Sequence, residues 1–251
     1  MEKEIKENRI KHLETVLKNE YIKYNIPYNT KITYKNLSDL LKALKDDLGI
    51  LSSKNKNIIK FLLDNFTIEE LEKENIFIKD KHHVKDGEAY CLGNTIIISE
   101  NNSIINAFDN CTVYANDHST IWAYDNVKVF STDYSIVFAH DNTLIECSKA
   151  SKCEASNNSE VICKHSSTIY ANHNSKITAY EFSKVFAKDC AEVNSYHYSY
   201  IIAEEKASVN AYNKSVVHAE KTTNCKNFNK SVIIYENHII SNLKSTAQHN
   251  E

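Results

Sequence analysis

Five aspartates, Asp109, Asp117, Asp125, Asp133 and Asp141, follow one another every eight residues. Carboxylates at so regular a spacing suggest two chemistries: ligation of a hard cation such as calcium, or the paired acid and base of a glycan-cleaving site. His165, His173 and His197 take the same place in the pattern further on, and His82 and His83 stand side by side as candidate metal ligands. Each candidate has a plainer account. Calcium-binding β-rolls need paired glycines that free backbone carbonyls for the ion, and this chain has three glycines in all. Carboxylate pairs of β-helix enzymes sit on long loops that leave the coil, often beside arginine; here nothing interrupts the spacing, and Arg9 is the only arginine. Aspartates that cap turns by bonding to their own backbone explain the series, and adjacent histidines in an extended segment point apart. The seven cysteines, without C-x-x-C or framework spacing, read as reduced core filler. With no Walker loop, nucleophile elbow or zinc spacing, the expectation is a protein without metal or cofactor and without catalysis.

What positions these residues is a repeat. From Ile97 to Ile240 the chain divides into eighteen octads with no insertion, among them INAFDNCT, VYANDHST and IWAYDNVK. The first position is always Val, Ile or Cys, and the third is Ala, Ser or Cys in the first sixteen octads; the seventh is mostly Ser, Thr, Ala or Cys. Seven, one and three alternate, so they share one face of a strand, and a small, β-branched, small sequence suits two thin sheets pressed together. Positions four to six must turn, with Asp, Asn and His taking the backbone conformations usually given to glycine. Two octads per coil predict a parallel β-solenoid of about sixteen residues per turn and roughly nine coils over 97–240. Residues 79–96 read as a linker and first coil, and 241–251 as a disordered tail.

The period resembles the octapeptide and sixteen-residue repeats of bacterial ice-nucleation proteins, and the "AYDN-x-x-V" wording is similar to octad β-solenoids of phages and mobile elements. The resemblance covers residues 89–240 and implies architecture alone, since paired ice-binding threonines are missing.

Residues 1–78 form a helical head, so the whole chain is α+β. "NLSDLLKALKDDLG" places Leu37, Leu40, Leu41, Leu44 and Leu48 on one face with Gly49 as its stop. Ser52 or Ser53 would cap a further helix burying Ile58, Ile59, Leu62, Leu63 and Phe66, and Thr67 with Glu70 forms a capping box. A helix also covers about 3–23. The "GILSS" link, with Lys54, Lys56 and Lys60 beyond it, has the outline of a helix-turn-helix, though the plainer role is a cap on an otherwise sticky solenoid end.

Charge narrows the function. Residues 1–80 carry 15 basic and 14 acidic residues, whereas residues 87–220 carry 9 lysines against 16 acids. An acidic, arginine-free repeat is poorly suited to direct nucleic-acid binding, and the first residues hold neither a signal-peptide core nor a membrane span, which reads as cytoplasmic. The outward positions are aromatic. Phe108, Tyr114, Trp122, Tyr124, Phe138, Tyr170 and Phe186 recur along the repeat, and Tyr180, Tyr196 and Tyr212 are in register at position four of what is read as the other sheet. Such rows need covering by the head, by a second copy in a homodimer, or by a different protein with a basic surface. The expected function is protein binding, with a phage-encoded inhibitor of anti-CRISPR type as its specific form; a self-assembling or phage scaffold and a carbohydrate-active β-helix protein are the alternatives.

Overall fold

The protein is described by a computed structural model that covers residues 2–27, 34–55, 57–235 and 238–241. Four helices come first: α1 Glu2–Lys23, α2 Leu37–Lys54, α3 Ile58–Asn65 and α4 Ile68–Lys73. α2 buries Leu40, Leu41, Leu44 and Leu48 as expected, but it runs through Gly49 and buries Leu51 as well. Ser52 and Ser53 therefore cap nothing; their hydroxyls donate back to the carbonyls of Gly49 and Ile50 inside the helix. Gly49 lies against Phe108, where a Cβ would make an ordinary contact with the ring at 3.5 Å. With "GILSS" helical, the turn of a helix-turn-helix is gone, and Lys56 lies outside the described residues. Leu63 is exposed rather than buried, since Ile58, Leu62 and Phe66 at a spacing of four occupy the inner face. The Thr67–Glu70 capping box is present. Glu70 also accepts both terminal nitrogens of Arg9, and those hydrogen bonds hold its carboxyl below the ordinary range.

Beyond the head, strands of four residues recur every eight from Ile96–Ser99 to Val232–Tyr235, each covering octad positions eight, one, two and three. Alternate strands belong to opposite sheets, one of twelve strands and one of ten. From Glu88 to Tyr235 each strand residue pairs within its sheet with the one sixteen further on, as in Ile105, Ile121 and Val137. The result is a two-faced parallel solenoid of about ten coils, roughly 48 Å long at a spacing near 4.8 Å. The coils reach back further than the octads, because Ile76–Phe77, Lys81–Val84 and Glu88–Cys91 already pair into the two sheets.

Positions seven, one and three face inward: Ser119, Ile121 and Ala123 have no exposed surface. A serine at position three is tolerated because its partner is built in. Ser99, Ser131 and Ser195 bond to Ser103, Ser135 and Ser199, the seventh residues of their own octads. In other coils the seventh hydroxyl closes its own turn on the fourth carbonyl, as Ser119 does on Asn116 and Ser167 on Lys164, while those of Thr143, Ser151, Ser159, Ser175 and Ser183 are buried without a partner. Five of the seven cysteines are buried filler as expected, but Cys190 is exposed at position six and Cys225 is half-buried.

The two ends are finished differently. At the start, α4 packs on Ile76–Phe77, and the head's leucines form one cluster with Ile76, Leu92 and Phe108. At the other end the last octad does not continue the coil: Val232–Tyr235 pairs antiparallel with His238–Ser241. Tyr235 at position three and Ile239 at position seven are too large for the thin interior, so another coil cannot stack there. Residues 236, 237 and 242–251, the last including most of the expected tail, lie outside the described residues. No helix among the described residues is long and apolar enough to cross a membrane.

The narrow interior predicts an asymmetric response at Ala139, which is fully buried between Ala123 and Ala155. Ala139→Leu should lower the unfolding free energy by about 2–3 kcal/mol through overpacking. Ala139→Ser should cost under about 1 kcal/mol, since Thr143, whose hydroxyl is buried without a partner, gains one as in the Ser131–Ser135 pair. Chemical denaturation of the two variants beside the wild type distinguishes these outcomes.

Candidate docking surface

The aspartate series has a structural task that follows from backbone accounting. In each turn the fourth N–H donates to the third carbonyl of the preceding coil, as Tyr124 does to Ala107. The sixth donates to the preceding fifth, Asn126 to Asp109; the seventh closes on its own fourth, Val127 to Tyr124; the eighth donates to the preceding seventh, Lys128 to Cys111. The fifth N–H is left over. In several coils it is taken by the side chain of the fifth residue one coil later: Gly93 N–H by Asp109 at 3.1 Å, Asp109 N–H by Asp125 at 3.1 Å, Asn101 N–H by Asp117 at 3.0 Å, and His173 N–H by Asp189 at 3.0 Å. The aspartates thus cap the neighbouring coil's backbone, not their own as expected. The fifth residue also has positive φ in every described octad but that of Lys221. One position demands left-handed backbone and an acceptor together, which selects Asp and Asn. His82 is occupied otherwise, stacked on Phe77 at 4.2 Å with Nε2 against the Lys79 carbonyl. Among the described residues no three His, Cys, Asp or Glu side chains converge on a metal-sized site.

Position two of the twelve-stranded sheet brings together Trp122, Phe138, Tyr170 and Phe186 as expected, in two stacked pairs 4.1 and 4.9 Å apart with Glu154 between them. Tyr170 is 46% exposed and the other three are half-buried. Ile104 and Ile136 lie exposed beside the row. Tyr114 heads a short row on the opposite sheet, stacked on Phe130 at 5.1 Å. Phe108 is not available to a partner: it is 3% exposed, packed under α2 and stacked on Tyr124, which continues to His140 along the corner. Tyr180, Tyr196 and Tyr212 do stack in register, at 5.1 and 4.8 Å, but on the corner that follows the ten-stranded sheet instead of on its face, because position four is already in the turn.

Phe130 and Phe228 extend these ladders, Phe228 beneath Tyr212 at 4.7 Å, and Phe182 and Tyr198 at position six form a separate pair 5.5 Å apart at the same corner as Tyr180. Reading positions two, four and six through every octad would have found them. Rings stacked at these distances show their edges outward, with faces free only at ladder ends. A sugar or base that stacks face-on has few places to go, whereas apolar side chains of a protein pack well on ring edges.

A second feature went unread in the sequence. Asn94, Asn110, Asn126, Asn142, Asn158 and Asn174 occupy position six at one corner and line a straight groove of about 910 Å³ that ends at Cys190. Between α2 and the same corner lies a smaller cleft of about 380 Å³ lined by Asp46, Phe108, Tyr124, Asp125 and Asp141. Burial, and then the nearby Asp141, push the Tyr124 hydroxyl pKa up.

Comparison with protein-family models, with curated proteins and with solved structures returned no match. The surface itself carries the functional argument.

Asp109 gives the turn account a pH signature. Burial raises its pKa, against the Gly93 hydrogen bond and with help from Asp125. The folded chain therefore holds that proton more tightly than the unfolded chain. This contribution to stability is complete below the unfolded pKa of about 3.9 and is lost as pH rises through the folded value. Asp109→Asn keeps an acceptor for Gly93 and tolerates positive φ, so at neutral pH it should be at least as stable as the wild type, an advantage that vanishes toward about pH 3. Asp109→Ala should lose about 1–2 kcal/mol at every pH, from the strained backbone and the unpaired N–H. Thermal melts across pH check both; an asparagine variant clearly weaker than wild type at neutral pH would refute the account.

Proposed function

We propose that the protein is a non-enzymatic binding module whose solenoid docks another protein through the aromatic row of the twelve-stranded sheet. The observation that carries this reading is the row itself: Trp122, Phe138, Tyr170 and Phe186 held in register on a parallel sheet, flanked by exposed isoleucines and left uncovered by the described residues of the head, which bury only Phe108 of the aromatic set. Aromatic side chains at the centre of a patch are what partner hot spots are made of.

A basic partner is supported by the adjoining corner. The turns that follow this sheet carry Asp109, Asp125, Asp141, Asp189, Glu204, Glu205 and Glu220 against Lys188, Lys206 and Lys221. Two runs of carboxylates, Asp109 to Asp141 and Asp189 to Glu220, offer a basic groove negative charge at regular spacing, as a phosphate backbone would. That likeness supports the narrower form of the proposal, a phage-encoded inhibitor of anti-CRISPR type that occupies the nucleic-acid groove of a host enzyme. End-to-end self-assembly draws less support, because the head covers one end of the stack and an antiparallel hairpin closes the other.

Affinity capture with the full chain should recover a basic protein at low salt and lose it as ionic strength rises. The double change Trp122→Ala and Phe138→Ala should weaken that complex by about 2–4 kcal/mol in a binding titration. Capture that ignores the double variant would move the docking site off this sheet, and a bait that retains nothing at low salt would sink the reading.

A further inference from the structure

The aromatic row has one gap, and the gap holds a carboxylate. Glu154 pairs in register with Phe138 on one side and Tyr170 on the other. Trp122 covers the far face of Phe138 and Phe186 the far face of Tyr170. Each pair therefore turns one free ring face toward the exposed Glu154. A carboxylate between two ring faces is poorly placed, because the face of an aromatic ring is the negative end of its quadrupole. A cation in the gap would reverse the sign of both ring contacts and neutralise the glutamate.

The rest of the molecule shows that its own cations satisfy the comparable positions. Glu146, next to Phe130 on the opposite sheet, is met by Lys164 at 2.6 Å. Lys184 lies 4.7 Å from the Phe186 ring and 5.6 Å from Tyr200, and Lys214 lies 5.0 Å from Tyr198. Among the described residues Glu154 has no ion pair and no side-chain hydrogen bond.

We infer that this gap receives an arginine side chain of the protein partner, its guanidinium stacked between Phe138 and Tyr170 and paired with Glu154. The dimensions fit. Phe138 and Tyr170 are two coils apart, roughly 9.6 Å, so a group midway is about 4.8 Å from each ring, inside the reach of about 6 Å for a cation over a ring. A flat guanidinium takes the place of the missing rung of the ladder and presents its fork to the carboxylate; a lysine ammonium offers neither the plane nor the second donor. The inference rests on the proposed docking reading and names the chemistry at its centre.

Trp122 is the only tryptophan in the chain and stacks on Phe138, the ring that borders the gap, so its fluorescence reports on this site. Titration of the full chain with tetra-arginine amide should change Trp122 emission saturably, while the uncharged isostere tetra-citrulline should leave it unchanged. Glu154→Gln should weaken the arginine peptide by about tenfold, and Tyr170→Ala comparably. Glu192→Gln, the same loss of charge at an exposed site on the opposite sheet, should change it by less than about twofold. Equal losses from Glu154→Gln and Glu192→Gln, or equal binding of the citrulline peptide, would overturn the inference. So would light scattering that showed a dimer dissociated by Trp122→Ala with Phe138→Ala, since a second copy would then cover the gap. If Glu154→Gln leaves arginine affinity unchanged while the double variant still abolishes partner capture, the arginine site falls and the docking face stands.

Discussion

The parallel hydrogen-bond ladder sets each coil about 4.8 Å above the last, and nearly everything else in this protein is a response to that distance. It brings every residue within contact of its counterpart sixteen positions away, so the sequence can use only side chains that are content beside a near copy of themselves. Aromatic rings meet the condition at stacking distances, and the observed separations of 4.1 to 5.5 Å along the ladders are the pitch with small adjustments. Alanine and the β-branched residues meet it inside. Serine meets it only by closing on its own turn or on a second serine, and several seventh-position hydroxyls, Ser151, Ser159 and Ser175 among them, are left buried without a partner.

Like charges meet the same condition badly, and their treatment separates structure from function. A column of aspartates at this pitch repels itself, yet Asp109, Asp117, Asp125 and Asp189 each gain a backbone N–H that the turn does not otherwise satisfy, which offsets the repulsion. Other carboxylates are offset by lysines one coil away, as with Lys149 on Asp133 and Lys188 on Glu204. Among the acids that neither device reaches, Glu154 is the one that stands between two aromatic rings of its own sheet. Locally unfavourable groups that a fold leaves uncompensated are where an external partner has most to contribute.

The fold was legible because its rule is periodic and local. Three inward positions of restricted size and a turn position restricted to Asp, Asn, His and a few longer polar side chains are visible in any two adjacent octads, and together they dictate strand, turn and coil. What escaped was non-local or hidden by the same regularity. Gly49 looks like a helix stop in sequence, yet the helix continues through it to bury Leu51. Phe108 has the outward pattern of its neighbours and is covered because the head lies on that corner alone. Tyr180, Tyr196 and Tyr212 show their register in the sequence, but position four lies just past the end of the strand, so they stand on the corner and not on the face. The last octad keeps a β-branched first residue, and what breaks it is the size of Tyr235 and Ile239 at positions whose identity had been nearly constant until then.

Stiffness gives such a surface its value for recognition. A partner that binds a flexible patch must first order the side chains it touches, at a cost of about 0.5–1.5 kcal/mol for each rotamer-rich group. Here Trp122, Phe138, Tyr170 and Phe186 are already held by their stacking neighbours and by a backbone in which every coil is bonded to two others. Little remains to be ordered on this side when the rings are covered. The same ladder that limits which residues may stand in a row therefore also raises what each ring in that row contributes to a complex, and an acidic chain can dock by aromatic contact without the arginines on which many interfaces rely.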